Sequence, residues 1–419
     1  MKPMPITTLG EARYASPLAI CDSTQTLVPA EIQWPSGNPP EDLTLFEKAG
    51  PRSKLFFDPA NTRAAIVTCG GLCPGLNNVI RSVTRELTRC YGVTSVLGIR
   101  GGYKGLDPSR GKPPIELTEE VVEEIHKKGG TLLGTSRGPV DTATAVDFLI
   151  SQKIDILFTV GGDGTQRGGH ALYHEAARRG HPLAVVGIPK TIDNDIRHVS
   201  RTFGFGTAVD EAVRVIDSAH TEARSVDNGV SVVKLMGRHA GFIAAAATVA
   251  SQDVNYCLVP ELPFDLAVFL TALEQRLEKK QHALIVVAEG AGQHLLEKSS
   301  ETDASGNEKL EDIGHFLRDT ICAHFKARGI EMTMRYFNPS YQIRGCAANT
   351  EDALLCDRLG RHAVHAAMSG RTGLVVSFLH GGFVLVPIDA IAAGGKQLDL
   401  DGEMWRGVIS STGQPARFV

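Results

Sequence analysis

The stretch Ile156-Leu157-Phe158-Thr159-Val160-Gly161-Gly162-Asp163-Gly164-Thr165-Gln166-Arg167-Gly168 decides the reading of this chain. An unbroken apolar and β-branched run, as in a strand buried on both faces, stops at two glycines. A carboxylate between glycines at a strand terminus has little structural reason to be there. It can hold Mg²⁺ while the amides of Gly162, Gly164 and Thr165 face a polyphosphate. An aspartate that only caps the following helix is the plainer alternative. The turn is not a Walker A loop, because no Lys-Ser or Lys-Thr pair closes it. It also lacks the GxGxxG spacing of dinucleotide folds.

Similar runs recur on both sides. Residues 64–68, 93–99, 154–160, 183–188, Gly229–Leu235, 255–259, 283–288 and Leu374–Leu379 are expected strands. Between the first two, Val79, Val83 and Leu87 recur at helical spacing. This alternation predicts an α/β chain of two Rossmann-like domains with mostly parallel sheets. Residues 1–60, rich in Pro, Thr, Ser and acidic residues, read as an N-terminal arm. The first domain is expected over 61–205 with a return segment near 345–390, and the second over 206–344, with the active site between them. The tail 391–419, with Trp405, could pack on either domain or bind a partner. The polar run 296–311 reads as a surface loop.

Ligands of an open parallel sheet bind at the carboxyl ends of its strands, so other strand-end turns belong to the same question. Gly70-Gly71-Leu72-Cys73-Pro74-Gly75-Leu76-Asn77 leads into a helix. Glycines there let a phosphate reach amides at a helix N-terminus, although glycine also serves a bend alone. Pro189-Lys190-Thr191-Ile192-Asp193-Asn194-Asp195 follows the strand at 183–188. One of its carboxylates can accept the proton of an attacking hydroxyl, while the other binds substrate or positions its partner. Lys190 offers a point charge for a moving phosphate. A solvated Asx-rich turn is the plainer alternative.

Size and composition bound the rest. With 419 residues, 42% apolar and 21% charged, the chain can bury a core larger than one domain needs. A net charge of −4 gives no field for nucleic acid or an anionic membrane, so anion binding must be local. Eight cysteines in such a length make no disulfide framework. Cys69 and Cys73 lack a second Cys/His pair at zinc spacing and read as buried, reduced thiols. No apolar stretch approaches the ~18 residues of a membrane span, and no signal core opens the sequence. A cytoplasmic enzyme is expected.

The Gly-Gly-Asp-Gly-Thr turn, then Thr191-Ile192-Asp193-Asn194-Asp195, then Met236-Gly237-Arg238 follow in the order of the phosphofructokinase family. The chain resembles that family over roughly residues 61–390. The 69–77 and 228–238 segments look like its longer-chain, ATP-dependent branch of plants and trypanosomatids. The resemblance implies a phosphofructokinase-like fold and a glycolytic kinase acting on the 1-hydroxyl of fructose 6-phosphate to give fructose 1,6-bisphosphate. It implies Asp193 as the base on that hydroxyl and Asp163 as the organiser of Mg²⁺. Gly71 and Gly168 would line the donor loop, Arg137 would reach the transferring phosphate, and Arg238 would neutralise developing charge. Thr191, Asp195, Met236, Gly237 and Glu289 would contact the sugar. Arg335, Tyr341 and Arg344 would cradle the 6-phosphate, a task suited to the planar guanidinium.

In the family part of that cradle comes from a neighbouring subunit, so a homo-oligomer, dimer or tetramer, and an allosteric enzyme are implied. Short bacterial members carry an arginine seven residues before the methionine of Met-Gly-Arg. Here Gly229 stands there, so one phosphate contact is missing or replaced.

Donor choice turns on two positions that disagree. In ATP enzymes of the family glycine follows the motif aspartate; in pyrophosphate enzymes an acidic side chain fills that space. Gly164 therefore favours ATP, while Lys190 is the residue pyrophosphate enzymes carry. Steric exclusion is close to absolute and a lysine serves any phosphate, so the reading is ATP, with pyrophosphate as the alternative. A lipid or NAD kinase would share only the Gly-Gly-Asp-Gly turn. A catalytically silent regulatory subunit should have lost Asp163, Asp193 or Arg137, and all are present.

Overall fold

A computed structural model describes the chain except residues 1, 23, 34–36, 38, 298–300, 302–308, 393 and 419. Most of the loop expected at 296–311 thus lies outside the described residues. In chain order the elements that matter begin with β1 (Thr44–Lys48), β2 (Arg63–Thr68), α1 (Leu76–Arg85), β3 (Ser95–Arg100) and β4 (Lys112–Glu116). There follow β5 (Ile156–Gly161), α2 (Asp163–Arg178), β6 (Ala184–Pro189), α3 (Phe205–Arg224), β7 (Gly229–Leu235) and α4 (Phe242–Ser251). The remainder are β8 (Tyr256–Leu258), β9 (His282–Ala288), β10 (Thr333–Phe337), α5 (Thr350–Met368), β11 (Leu374–Leu379), β12 (Gly382–Pro387) and α6 (Glu403–Thr412).

The chain divides into two units: Met1–Thr191 with Ile196–Gly204 and Gly345–Gly395, and Ile192–Asp195 with Phe205–Arg344 and Lys396–Val419. In the first, the strands lie in the order β1-β12-β11-β6-β5-β2-β3-β4. The central β11, β6, β5, β2 and β3 run parallel. Every residue of β5 and β6 is buried, which is what an unbroken apolar run permits when helices cover both faces. The antiparallel flanks are β12 against β11, β1 against β12 and β4 against β3.

Strand β1 joins part of the N-terminal segment to the sheet of the first unit. Phe46 is fully buried in the core shared with β11 and β12, and Lys48 and Glu47 pair with Val384 and Leu385. Helices α1 and α5 pack closely because Gly360 has no side chain to meet Ser82, whose hydroxyl donates to the Asp357 carbonyl at 2.7 Å.

The second unit has four parallel strands in the order β8-β9-β7-β10. Its core gathers Val230, Val232, Ile285 and Val287 with Phe269 and Phe325 from flanking helices. The tail packs here. Helix α6 lies on α4, Trp405 is buried, and the Gln414 side chain both accepts the Cys257 N–H and donates to its carbonyl. No described helix is long and apolar enough to cross a membrane. The eight cysteines are thiols, and burial pushes Cys69 up to about 12, far from a metal-ligating thiolate.

Candidate active site

In the first unit the ends of β2, β5 and β6 are neighbours: Thr68 lies opposite Val160, and Gly161 opposite Pro189. The glycine turn at 70–77, the Gly162–Thr165 turn and the Lys190 turn therefore leave one edge of one sheet. Backbone bonds continue past the strands, with Cys69 N–H donating to Val160 and Lys190 N–H to Gly161 at 2.9 and 3.0 Å.

Asp163 is not the helix cap. The capping position of α2 is Gly162, in extended backbone and with no side chain to satisfy the first amides, and Asp163 is the first helical residue. The amide end and positive dipole of a 16-residue helix are thus left for an anion. Gly164 is exposed, and a Cβ built on it meets nothing closer than Arg167 Nη2 at 3.9 Å. Gly168 is the opposite case. A Cβ there would stand 2.5 Å from the Tyr103 ring, whose hydroxyl donates to the Thr165 carbonyl at 2.6 Å. Thr165 is buried, and its N–H donates to the Gly162 carbonyl at 2.9 Å, so the amide expected to face a polyphosphate is already engaged.

Lys190 is buried, and its ammonium donates to the Gly71 carbonyl at 2.6 Å. Gly70 lies in the left-handed region at φ +82, a conformation that suits glycine, and its Cβ position is 3.3 Å from that ammonium. The Thr135 hydroxyl donates to the Gly70 carbonyl at 2.6 Å, and Gly70 N–H donates to Ser136 at 3.0 Å. The loop carrying Arg137, an exposed side chain, is thereby fastened against Gly71 and Lys190. The Thr202 hydroxyl holds the carbonyl of Thr191 at 2.7 Å.

Three residues that sequence reasoning gave no role hold this edge. The buried Gln166 amide donates to the Gly161 carbonyl at 2.9 Å, bracing the end of β5. Asn77 donates to Lys128 at 3.1 Å and accepts from Leu132 N–H at 2.8 Å, fixing the run-up to the Arg137 loop. Tyr103 is the third. The Gly101-Gly102 pair before it, left-handed at φ +76 and +65, was the available signal.

In the second unit the ends of β7 and β9 are adjacent, Leu235 opposite Ala288. Glu289 N–H donates to Leu235 at 2.9 Å, and Gly290 N–H to Gly237 at 3.0 Å. Met236-Gly237-Arg238 and Glu289 are thus joined through backbone, and Gly237 sits at φ +130. Burial raises the Glu289 carboxyl above the ordinary range, with the fields of Lys234, Arg238 and Arg344 pulling it back. Arg238 Nε is buried with no hydrogen-bond partner among the described residues, as suits a donor kept for a ligand. Arg344 lies 4.8 Å over the Tyr341 ring, and that tyrosine is 78% exposed. Arg335 stands apart: it is exposed, opposite Ser231 in mid-strand, and bonded to Glu222 at 3.3 Å. Asp193 and Asp195 lie on the Ile192–Asp195 turn, where Asn194 takes the left-handed conformation at φ +54.

Parallel strands ending at an uncapped helix N-terminus in one unit, and beside the Arg238 and Glu289 turns in the other, make this an α/β protein with open amides and charge at its strand ends. The phosphofructokinase family model matches residues 63–367, and the chain belongs to that family. A protein of Borreliella burgdorferi named ATP-dependent 6-phosphofructokinase is 48% identical over 385 residues, covering 90% of this chain and 86% of its own. One of the same name from Trypanosoma brucei brucei is 46% identical over 407 residues, covering 96% and 84%. The solved structure of a pyrophosphate-dependent phosphofructokinase from Marinobacter aquaeolei superposes with TM-score 0.70 at 20% identity. It covers 84% of this chain and 91% of that one, a likeness of fold.

Proposed function

We propose that this chain transfers the terminal phosphoryl group of ATP to the 1-hydroxyl of fructose 6-phosphate. The observation that carries the donor is Gly164, whose open face leaves room for a nucleotide, beside relatives named ATP-dependent at 48% and 46% identity. We assign the donor to the first unit and the sugar to the second.

Phosphoryl transfer asks a protein for positioning and for charge stabilisation. Amides at the head of α2 and the glycine turn receive the donor, with Lys190 and Arg137 supplying positive charge. Asp193 takes the proton of the sugar hydroxyl, and Arg238 meets the charge that develops. Thr191, Asp195, Met236, Gly237 and Glu289 orient the sugar ring.

A magnesium ion would neutralise the donor oxygens during transfer. It keeps most of its waters and needs only one or two carboxylates. Among the described residues no cluster of three or more His, Cys, Asp or Glu side chains is set for a metal. Asp163 alone, in the first turn of a helix, fits an ion that arrives with the polyphosphate rather than one held by a protein cage.

The exposed Tyr341 and the outlying Arg335 support a 6-phosphate cradle completed by a second copy of the chain, and so a homo-oligomer. Thiol-form cysteines and the absence of a membrane-length helix among the described residues support work in the cytoplasm. A coupled assay with ATP and with pyrophosphate, each with and without Mg²⁺, tests the reading. Turnover with ATP and Mg²⁺ is expected; turnover with pyrophosphate alone would overturn it.

A further inference from the structure

Within the second unit, a piece of the tail fastens the aspartate turn to the Met-Gly-Arg turn. The Lys396 N–H donates to the Asp195 carbonyl at 2.7 Å. Its half-buried ammonium lies 5.1 Å from the centre of the Phe242 ring, the first residue of α4, and feels the negative charge of Asp195. Two residues on, Leu398 N–H donates to Glu261 Oε1 at 2.8 Å. The same carboxylate accepts the N–H of Gly241, the cap of α4, at 2.9 Å. Residues 396–398 therefore touch Asp195 on one side and the start of α4, just after Arg238, on the other. Laying an ammonium on an aromatic face removes water from it, which a surface loop has no reason to do.

We propose that Lys396 is a positioning residue for sugar binding: its ammonium, held on Phe242, fixes Asp195 and the Ile192–Asp195 turn against the turn that carries Met236 and Arg238. The proposal rests on the functional reading above.

The device works only while the amine is protonated. Burial pushes Lys396 down to about 8, and Asp195 opposes that only in part. Below that value the cation is present; as pH rises through it, the charge facing Asp195 disappears. The other titratable groups on the segments around it are Asp193 on the turn, Arg238 and His239 before α4, and Glu261.

K396M and K396R, assayed between about pH 7 and pH 9.5, decide the matter. K396M is expected to raise the KM for fructose 6-phosphate ~10-fold, with the KM for ATP unchanged and no further rise at alkaline pH. K396R, whose charge does not titrate, is expected to stay within ~2-fold of the parent near neutrality and to lose the alkaline rise the parent shows. Hydrogen exchange in the peptide spanning Ile192–Asp195 should quicken ~10-fold in K396M and recover in K396R. Equal changes in both KM values, or an alkaline rise kept by K396R, would overturn the proposal. If the parent failed to phosphorylate fructose 6-phosphate, the functional reading would fall alone. Exchange would still judge Lys396: faster in K396M sustains the fastening, unchanged refutes it.

Discussion

The turn at the head of α2 and the turns at the ends of β7 and β9, the two halves of the proposed site, are built by opposite means. The first relies on backbone: Gly162 leaves amides uncapped, Gly164 faces open space, and Lys190 is tied to a carbonyl. The second relies on side-chain charge, with Lys234, Arg238 and Arg344 acting on a Glu289 carboxyl that burial has raised. Backbone cradles tolerate charge but not volume, because their geometry is the binding device. Charge clusters tolerate an isostere sterically, but they sit in a field balanced for the ligand rather than for the fold.

The largest effect expected in the sugar half is at its base. Asp193→Ser should lower kcat ~10²–10⁴-fold while the KM for fructose 6-phosphate moves little, as steady-state kinetics would read. Activity kept nearly intact would remove Asp193 from the chemistry.

Next comes the donor half. Gly164→Asp should cut kcat/KM for ATP ~100-fold, because a carboxylate would occupy and repel the nucleotide's space. Thermal unfolding should not fall, since the site meets only Arg167 at 3.9 Å and an acid early in a helix favours its dipole. A loss of stability would mean that the glycine serves the fold.

Gly168→Ala, one turn further along the same helix, breaks the comparison in the other direction. Its Cβ would press on Tyr103 from 2.5 Å, so a destabilisation of about 1–3 kcal/mol is expected in denaturant unfolding.

The smallest effect belongs to Glu289→Gln. A carboxyl raised by burial contributes stability below its unfolded value and loses it as pH rises through the folded one. At neutral pH the amide should therefore raise the melting midpoint by about 2 °C, while weakening fructose 6-phosphate binding. The gain should vanish in acid, where the parent carboxyl is protonated. A gain independent of pH would show that desolvation of the charge is not its cause.

The parallel strands could be read from sequence because burial on both faces leaves continuous apolar runs: β7 and β11 carry the expected bounds, and β5 and β6 differ by a residue or two. Strand β10 escaped because Thr333-Met334-Arg335-Tyr336-Phe337 is a half-exposed edge with a charge in its middle. Strand β1 escaped because its partner β12 is more than 300 residues away in sequence, and local texture holds no record of that pairing. The same division runs through the candidate site. Asp163, Asp193, Arg238 and Glu289 stand at strand ends, where chemistry and position coincide in a short motif. Gln166, Asn77, Tyr103 and Lys396 act by holding backbone brought together by the fold, and their residue types alone announce nothing.

Phosphorus NMR of a reaction holding this protein, ATP, Mg²⁺ and fructose 6-phosphate addresses the central claim without any coupling enzyme. A second phosphate ester appearing on carbon 1 of the sugar, one for each ADP formed, is the predicted result. ADP with inorganic phosphate alone, or no new ester while the protein is folded, would contradict it.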